Sequence, residues 1–175
     1  MQLDWCAKGR LREGGWHGMG MTFGQATVAN IEELIELRLA YLTDDFGELD
    51  SEQVLQLRET LPGYFKWHLQ RDLLAFVARN DDGLMVSCAW LLLVEKPPSP
   101  RFPNGRTGVL FNVYTKPEYR RQGLARRVMG KLIEEAYDRQ LDVLELHATD
   151  DGYPLYQTLG FTDDSSTHKA MRMML

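Results

Sequence analysis

The sequence has little cysteine and no long apolar run. Only Cys6 and Cys88 occur among its 175 residues. Two cysteines cannot form a disulfide framework, and neither lies among residues spaced as metal ligands. No run approaches the roughly 18 consecutive apolar residues of a membrane helix. We therefore expect a domain in a reducing, cytoplasmic setting, with neither a metal site nor a membrane partner.

Basic residues are outnumbered, and the charges are unevenly distributed. The chain has 20 Lys and Arg against 25 Asp and Glu, a net charge of −5 at pH 7. This balance disfavours nucleic-acid binding. Between Glu32 and Glu59 nine acidic residues stand against two arginines, whereas between Lys116 and Lys131 six basic residues stand against Glu118 alone. The asymmetry indicates two surfaces that face different ligands, although solvated helix faces would give the same pattern.

Hydrophobic periodicity predicts alternating helices and strands. The predicted elements are strands over 22–27, 74–79, 84–95, 109–115 and 143–148, helices over 28–43, 51–69, 123–139 and 153–159, and closing strands at Phe161 and over 168–175. The order β-α-α-β-β-β-α-β-α-β-β is typical of an α/β or α+β fold with a mixed sheet. Residues 1–20 are glycine-rich and lack the apolar region of a secretory signal peptide. We interpret residues 1–20 as an N-terminal extension.

The most informative stretch, 113–127, is predicted to be a strand end, a basic turn and the start of a helix. The first N–H groups of a helix have no partner within it, and with the helix dipole they attract anions. Gly123 lets the backbone approach a ligand closely, and Ala125 is too small to obstruct a bulky diphosphate. Flanking arginines add charge-assisted contacts. These features predict a pyrophosphate site, although an ordinary strand-to-helix turn shares them.

Two segments resemble motifs of the GNAT superfamily of acyl-CoA-dependent N-acetyltransferases. Arg120-x-x-Gly123-x-Ala125 resembles the Arg/Gln-x-x-Gly-x-Gly/Ala motif, and residues 154–161 resemble the Leu-Tyr-x-x-x-Gly-Phe segment. The resemblance implies that residues 21–175 form a single N-acetyltransferase domain with a mostly antiparallel central sheet flanked by helices. It also implies transfer of an acetyl group from acetyl-CoA to a primary amine by direct attack.

The resemblance assigns acetyl-CoA to the strand end and the following turn. The strand residues are Val113, Tyr114 and Thr115, whose backbone would hold the pantetheine arm. The residues implied around the pyrophosphate are Arg120, Arg121, Gln122, Gly123, Leu124, Ala125 and Arg126. Asp150 stands where many members carry an asparagine that contacts the cofactor, and an ionised aspartate cannot donate that hydrogen bond.

The resemblance further implies that Tyr156 is the general acid that protonates the departing CoA thiolate. A phenol with an ordinary pKa of about 10 is protonated at neutral pH. Tyr153 is the nearby alternative. Glu145 and His147 share one face of the predicted strand before Tyr156 and are candidates for the base that deprotonates the amine. Both also fit exposed polar positions of a sheet.

Several further residues leave alternatives open. Asn112, within an apolar strand, either contacts the acceptor or locks the sheet. Cys88 lies in an apolar run and is predicted to be a core thiol rather than a nucleophile. Tyr64, Phe65 and Trp67 either line the acceptor site or pack within a helix. The resemblance implies that the first two helices and the loop after the third strand border the acceptor site. Because that first region is acidic here, we expect a cationic acceptor, such as a polyamine, an aminoglycoside-like sugar or a basic peptide end.

Two other functions also fit the sequence. One is a non-catalytic CoA-binding or sensing module, and the other is a transferase for a longer acyl chain. The presence of Tyr156 favours catalysis over sensing. Because dimers are common in the GNAT superfamily, the resemblance also allows a homodimer.

Overall fold

The computed structural model describes residues 20–164 and 171–174. The strands are β1 (Thr22–Gln25), β2 (Leu73–Arg79), β3 (Met85–Glu95), β4 (Arg106–Thr115) and β5 (Val143–Glu145). The helices are α1 (Ile31–Phe46), α2 (Ser51–His68), α3 (Leu124–Asp138) and α4 (Tyr153–Thr158). The predicted extension lies outside the described residues except for Gly20.

The five strands form one sheet in the order β1-β2-β3-β4-β5. The first three pairings are antiparallel, and β4 pairs with β5 in parallel. This arrangement confirms the predicted mixed, mostly antiparallel sheet flanked by helices. The two predicted closing strands fall in a region that the structure describes only at 161–164 and 171–174, and those residues are not in strands.

The sequence predicts Ser51 as the N-cap of helix α2, because serine is a preferred capping residue. In the structure Asp50 is the N-cap instead, and its carboxylate accepts the N–H of Gln53 at 2.8 Å. The Gln53 side chain in turn accepts the Asp50 N–H at 3.0 Å. Such reciprocal bonding satisfies two donors that the helix itself leaves unpaired. The helix then continues through Pro62 to His68.

The sheet carries a hydrophobic core on each face. Strand β2 shows the alternation, because its residues divide by parity between the two cores. Leu73, Ala75 and Val77 pack with α1 and α2, and Leu74, Phe76 and Ala78 pack with α3. The buried helix residues complete the same division, with Leu34 and Phe65 on one side and Leu132 on the other. The sheet is therefore the middle layer of three.

Strands β4 and β5 remain paired over only three residues. Thr107, Gly108 and Val109 of β4 lie opposite Val143, Leu144 and Glu145 of β5. From Leu110 to Thr115, β4 has no strand partner on its β5 side within the described part of the chain. Beyond the last pair the two strands are no longer hydrogen-bonded, and we call the region between the unpaired end of β4 and the chain after β5 the β4–β5 cleft. The missing pairing leaves backbone donors and acceptors of β4 available to a ligand.

A bulge in β4 lies beside this cleft. Cys88 of β3 faces Tyr114 and Trp90 faces Phe111, so two β4 residues oppose Ala89 alone. One of the two is Asn112, with φ of 51°. Asparagine tolerates this left-handed region better than most residues. The bulge therefore determines the direction in which the Asn112 side chain projects from β4.

The close approach at Gly108 provides a test of this packing. A methyl group on Gly108 would lie 2.5 Å from Leu91 Cδ1 and 2.8 Å from Leu144 Cδ2, whereas Gly24 on β1 has no atom within 4 Å of that position. We expect Gly108→Ala to lower the free energy of unfolding by about 1–3 kcal/mol through overpacking. Gly24→Ala serves as the matched strand control and is expected to be neutral or stabilising. Denaturant titration measures both, and equal effects would contradict the close approach.

Candidate active site

The turn between β4 and α3 presents a row of unpaired backbone donors. Arg121 and Gly123 adopt φ of 62° and 74°, both left-handed, and bracket the turn. The N–H groups of residues 121–126 have no hydrogen-bond acceptor among the described residues. The first bonded N–H belongs to Arg127, which donates to the Gly123 carbonyl at 3.1 Å. Consecutive free N–H groups at a helix start form a concave, positively polarised site suited to phosphate oxygens.

The end of β4 is held firmly on its β3 side. The Ser87 hydroxyl hydrogen-bonds to the Tyr114 carbonyl at 3.1 Å and to the Thr115 hydroxyl at 2.8 Å. The Lys116 N–H donates to the Val86 carbonyl at 2.9 Å. These bonds fix the strand end without using its β5 side. The half-buried Val113 and Thr115 therefore lie on a rigid edge of the β4–β5 cleft.

The predicted cofactor residues differ in what their side chains do. Tyr114 and Leu124 are 7% and 4% exposed and belong to the two cores, so they offer backbone groups only. Arg121 and Arg126 are exposed. Arg120 donates from Nε to the Thr115 carbonyl at 2.9 Å and forms an ion pair with Asp44 of α1. Arg120 thus links the turn to α1. The other two residues of the turn, Gln122 and Ala125, are half-buried.

The structure distinguishes Tyr156 from Tyr153. The Tyr156 ring is half-buried, 5.9 Å from the Phe161 ring, and its hydroxyl has no hydrogen-bond partner in the described part of the chain. Burial raises the pKa of Tyr156 to about 12, with a further contribution from Tyr41. The Tyr153 hydroxyl instead donates to Asp163 at 3.0 Å. Tyr156 is therefore the tyrosine with an available proton.

The two predicted bases do not share a strand face. Strand β5 ends at Glu145 rather than at residue 148, because β4 has already diverged and offers no further partner. The Glu145 carboxylate lies 3.3 Å from Lys96 Nζ, while His147 and Asp150 are exposed in the connection to α4. No contact between described residues joins Tyr156 to Glu145 or His147. The predicted pairing of these two residues on one strand was wrong.

Two residues of α1 that sequence reasoning missed lie beside the bulge. Arg38 donates from Nη1 to Asn112 Oδ1 at 2.9 Å, and its guanidinium carbon lies 5.4 Å from the centre of the Tyr41 ring. A signal that could have identified Arg38 is present in the helical spacing of the apolar residues around it. Leu34 and Leu42 are buried four residues on either side of Arg38, so a charged residue interrupts an apolar row.

Asn112 and Cys88 have structural partners. Asn112 is 1% exposed, and its amide nitrogen donates to Cys88 Sγ at 3.4 Å. Asn112 therefore locks the bulge while also contacting Arg38. Cys88 is fully buried, and burial raises the pKa of its thiol to about 12. The predicted core position of Cys88 is confirmed, because such a thiol carries almost no thiolate at neutral pH.

The acidic and aromatic residues near α1 differ in their partners. The acidic residues Glu33, Glu36 and Asp44 pair with Arg79, Arg58 and Arg120, respectively. Three of the nine acidic residues between Glu32 and Glu59 are therefore paired with arginines, and the stretch keeps a net negative charge. Among the aromatic candidates, Phe65 is core, Trp67 is 67% exposed beneath Arg71, and Tyr64 is half-buried beside His68. Only Tyr64 therefore has the position of a site-lining ring.

Metal-ligand groups and membrane-spanning helices are both absent from residues 20–164 and 171–174. No group of three or more His, Cys, Asp or Glu side chains there could hold a metal ion. No helix in those ranges has both the length and the apolar character needed to cross a bilayer.

Comparison with solved structures finds the same fold in acetyltransferases. A predicted acetyltransferase from Clostridium acetobutylicum, solved with acetyl-CoA, is 25% identical, with a TM-score of 0.75 over 87% of this chain and 96% of that one. A GCN5-related N-acetyltransferase from Ralstonia eutropha is 24% identical, with a TM-score of 0.68 over 87% and 99%. A ribosomal-protein-alanine N-acetyltransferase from Brucella melitensis is 21% identical, with a TM-score of 0.63 over 89% and 100%. No curated protein matches the sequence.

A family model gives the assignment. The model of the acetyltransferase (GNAT) family matches residues 31–161, from the first residue of α1 to the residue after Gly160. The match contains the β4–β5 cleft, the donor-rich turn and Tyr156. Because it spans most of the chain, this protein belongs to the GNAT family of acetyltransferases.

Proposed function

We propose that this protein transfers the acetyl group of acetyl-CoA to a primary amine by direct attack, with Tyr156 as the general acid. The observation that carries the proposal is the half-buried Tyr156 hydroxyl, which has no partner in the described chain and keeps its proton. The family assignment supports the reaction class. A binding module would not need a general acid, whereas Tyr156 would supply one for the departing CoA thiolate.

The donor-rich turn supports acetyl-CoA as the cosubstrate. Its free N–H groups at residues 121–126 would hold the pyrophosphate, with Arg121 and Arg126 exposed beside them. The unpaired edge of β4 at Val113 and Thr115 would hold the pantetheine arm by backbone hydrogen bonds. Asp150, exposed beyond β5, is a weaker candidate because an ionised carboxylate cannot donate.

The chemistry then follows from the placement of these groups. Acetyl-CoA supplies an acetyl group activated as a thioester. The amine nitrogen forms a bond to the carbonyl carbon, and the carbon–sulfur bond breaks. Tyr156 donates its proton to the departing sulfur, and the nitrogen gives up one proton as the amide forms. Proton count is conserved, because the sulfur gains what the nitrogen loses.

The base that receives the amine proton is assigned to Glu145 or His147. Glu145 is the last β5 residue paired with β4, and its carboxylate lies 3.3 Å from Lys96 Nζ. His147 is exposed two residues further along. A transferase for a longer acyl chain would use the same residues. The homodimer and the cytoplasmic location stay predictions from the sequence.

The role of Tyr156 gives the first kinetic prediction. We expect Tyr156→Phe to lower kcat for CoA release by about 10²–10⁴-fold, with acetyl-CoA affinity nearly unchanged, because only the proton is removed. Tyr153→Phe is the matched control and should retain activity, since its hydroxyl is bonded to Asp163. Thiol release and equilibrium binding measure the two quantities. Full activity of Tyr156→Phe would reject the general-acid role.

The donor-rich turn gives a binding prediction. Gly123 and Gly83 have φ of 74° and 78°, and a methyl group on either would meet no atom within 4 Å. Alanine therefore brings similar backbone strain at both positions, and only Gly123 adjoins the free N–H groups. We expect Gly123→Ala to raise the Kd for acetyl-CoA about tenfold or more, equivalent to about 1.4 kcal/mol, and Gly83→Ala to leave it unchanged. Calorimetry distinguishes them, and equal Kd values would argue against the cradle.

The raised pKa of Tyr156 gives a prediction that needs no substrate. Its phenol loses a proton only as the pH rises towards 12, so it stays protonated where an ordinary tyrosine ionises, near pH 10. We expect the difference in phenolate absorbance between the wild type and Tyr156→Phe to stay near zero below about pH 11. A difference that appears near pH 10 would show that burial does not shift this phenol.

A further inference from the structure

Arg38 is the exception among the arginines that contact α1. Arg58, Arg79 and Arg120 each pair with a carboxylate of that helix. Arg38, which belongs to the helix itself, has no carboxylate within ion-pair distance among the described residues. Its hydrogen bond to Asn112 Oδ1, at 2.9 Å, uses one Nη1 donor. The remaining N–H groups of its guanidinium have no acceptor in the described chain.

The surroundings of Arg38 are rich in aromatic rings. The side chain is half-buried, with the Tyr41 ring centre 5.4 Å and the Trp90 ring centre 5.9 Å from the guanidinium carbon. Burial lowers the pKa of Arg38. A partly desolvated cation is costly without an anion, so this guanidinium favours a negatively charged ligand.

The position of this pair matches the proposed reaction. Asn112 lies at the bulge, three residues beyond the last β4–β5 pair, so Arg38 reaches the sheet at the edge of the β4–β5 cleft. Tyr41, under the same guanidinium, also contributes to the raised pKa of Tyr156. Arg38 and the candidate acid are therefore linked through Tyr41, and the Tyr156 ring itself packs with the core on the α3 side of the sheet.

We propose that Arg38 binds a carboxylate of the acceptor, so that the acetylated amine is an amino acid or a related amine that bears a carboxylate. This inference rests on the proposed acetyl transfer. The planar guanidinium fork matches a carboxylate in geometry and charge. A phosphate monoester would bring nearly two negative charges to one arginine, with Asp45, held by Tyr41 at 3.2 Å, nearby. The carboxylate is therefore favoured over the phosphate.

This inference is an alternative to the cationic acceptor expected from the acidic stretch. Three carboxylates of α1, on Glu33, Glu36 and Asp44, are bound by arginines and are not available to a polyamine. An amino acid still carries an ammonium group, which loses its proton at the cleft before attack. The carboxylate held at Arg38 would direct the nitrogen toward the thioester.

Binding is tested first by NMR of the arginine side chains in the protein saturated with CoA. The Arg38 Nε–H signal is assigned by its loss in Arg38→Lys. Probes are the common amino acids, each paired with its carboxamide, together with phosphoethanolamine and spermidine. We expect a saturable shift of this signal with at least one amino acid and none with its carboxamide. A shift with phosphoethanolamine or spermidine alone, or with no probe, would overturn the inference.

Turnover is tested with the same probes and three variants. Arg38→Gln should raise KM for the amino acid about 10–100-fold with acetyl-CoA affinity unchanged, since a charged hydrogen-bonded contact is lost. Arg38→Lys should give a KM for the amino acid between those of Arg38→Gln and the wild type. Arg58→Gln, which removes an equal charge from an exposed pair on α2, is the control and should match the wild type.

The outcomes separate the two proposals. Amine-dependent CoA release that treats acids and carboxamides alike would overturn the carboxylate site and leave acetyl transfer standing. A specific Arg38 signal with no CoA release for any probe that binds would support the carboxylate site and count against acetyl transfer.

Discussion

The divergence of β4 from β5 is the constraint on which the rest of the site depends. The two strands share only three residue pairs, and Val113, Thr115, the donor-rich turn and Tyr156 all lie beyond the last of them. A sheet that stayed paired would use the backbone of β4 and close the space before Tyr156. The short pairing leaves one edge of a buried strand unsatisfied, which an isolated domain tolerates only where solvent or a ligand completes it.

The bulge at Asn112 adds a second constraint. An extra residue in β4 turns a buried amide towards α1, where Arg38 donates to it at 2.9 Å. The same amide contacts Cys88 on β3. One side chain therefore joins a strand, its neighbour and a helix, and it fixes the guanidinium that we assign to the acceptor. The position of the Arg38 guanidinium, rather than its residue type, therefore makes it a candidate for binding the acceptor.

Much of the fold could be predicted because periodicity reports burial. The apolar run of β2 and the apolar face of α3 were visible in the sequence, and the turn motif placed Gly123 at the start of a helix. The length of β5 could not be predicted, because it is set by where β4 diverges, a long-range property. Arg38 was missed for a related reason: its interruption of an apolar row has meaning only once Asn112 is known to lie opposite.

The ion pair between Arg120 and Asp44 has a thermodynamic consequence. It joins the turn that would receive phosphates to the helix that carries Arg38 and Tyr41. A phosphate oxygen that binds Arg120 competes with Asp44 and changes the charge balance on α1. By linkage, whatever free energy this exchange adds to the affinity of one substrate it adds equally to that of the other. Binding of a phosphate at Arg120 would therefore couple the two halves of the cleft through the Arg120–Asp44 ion pair.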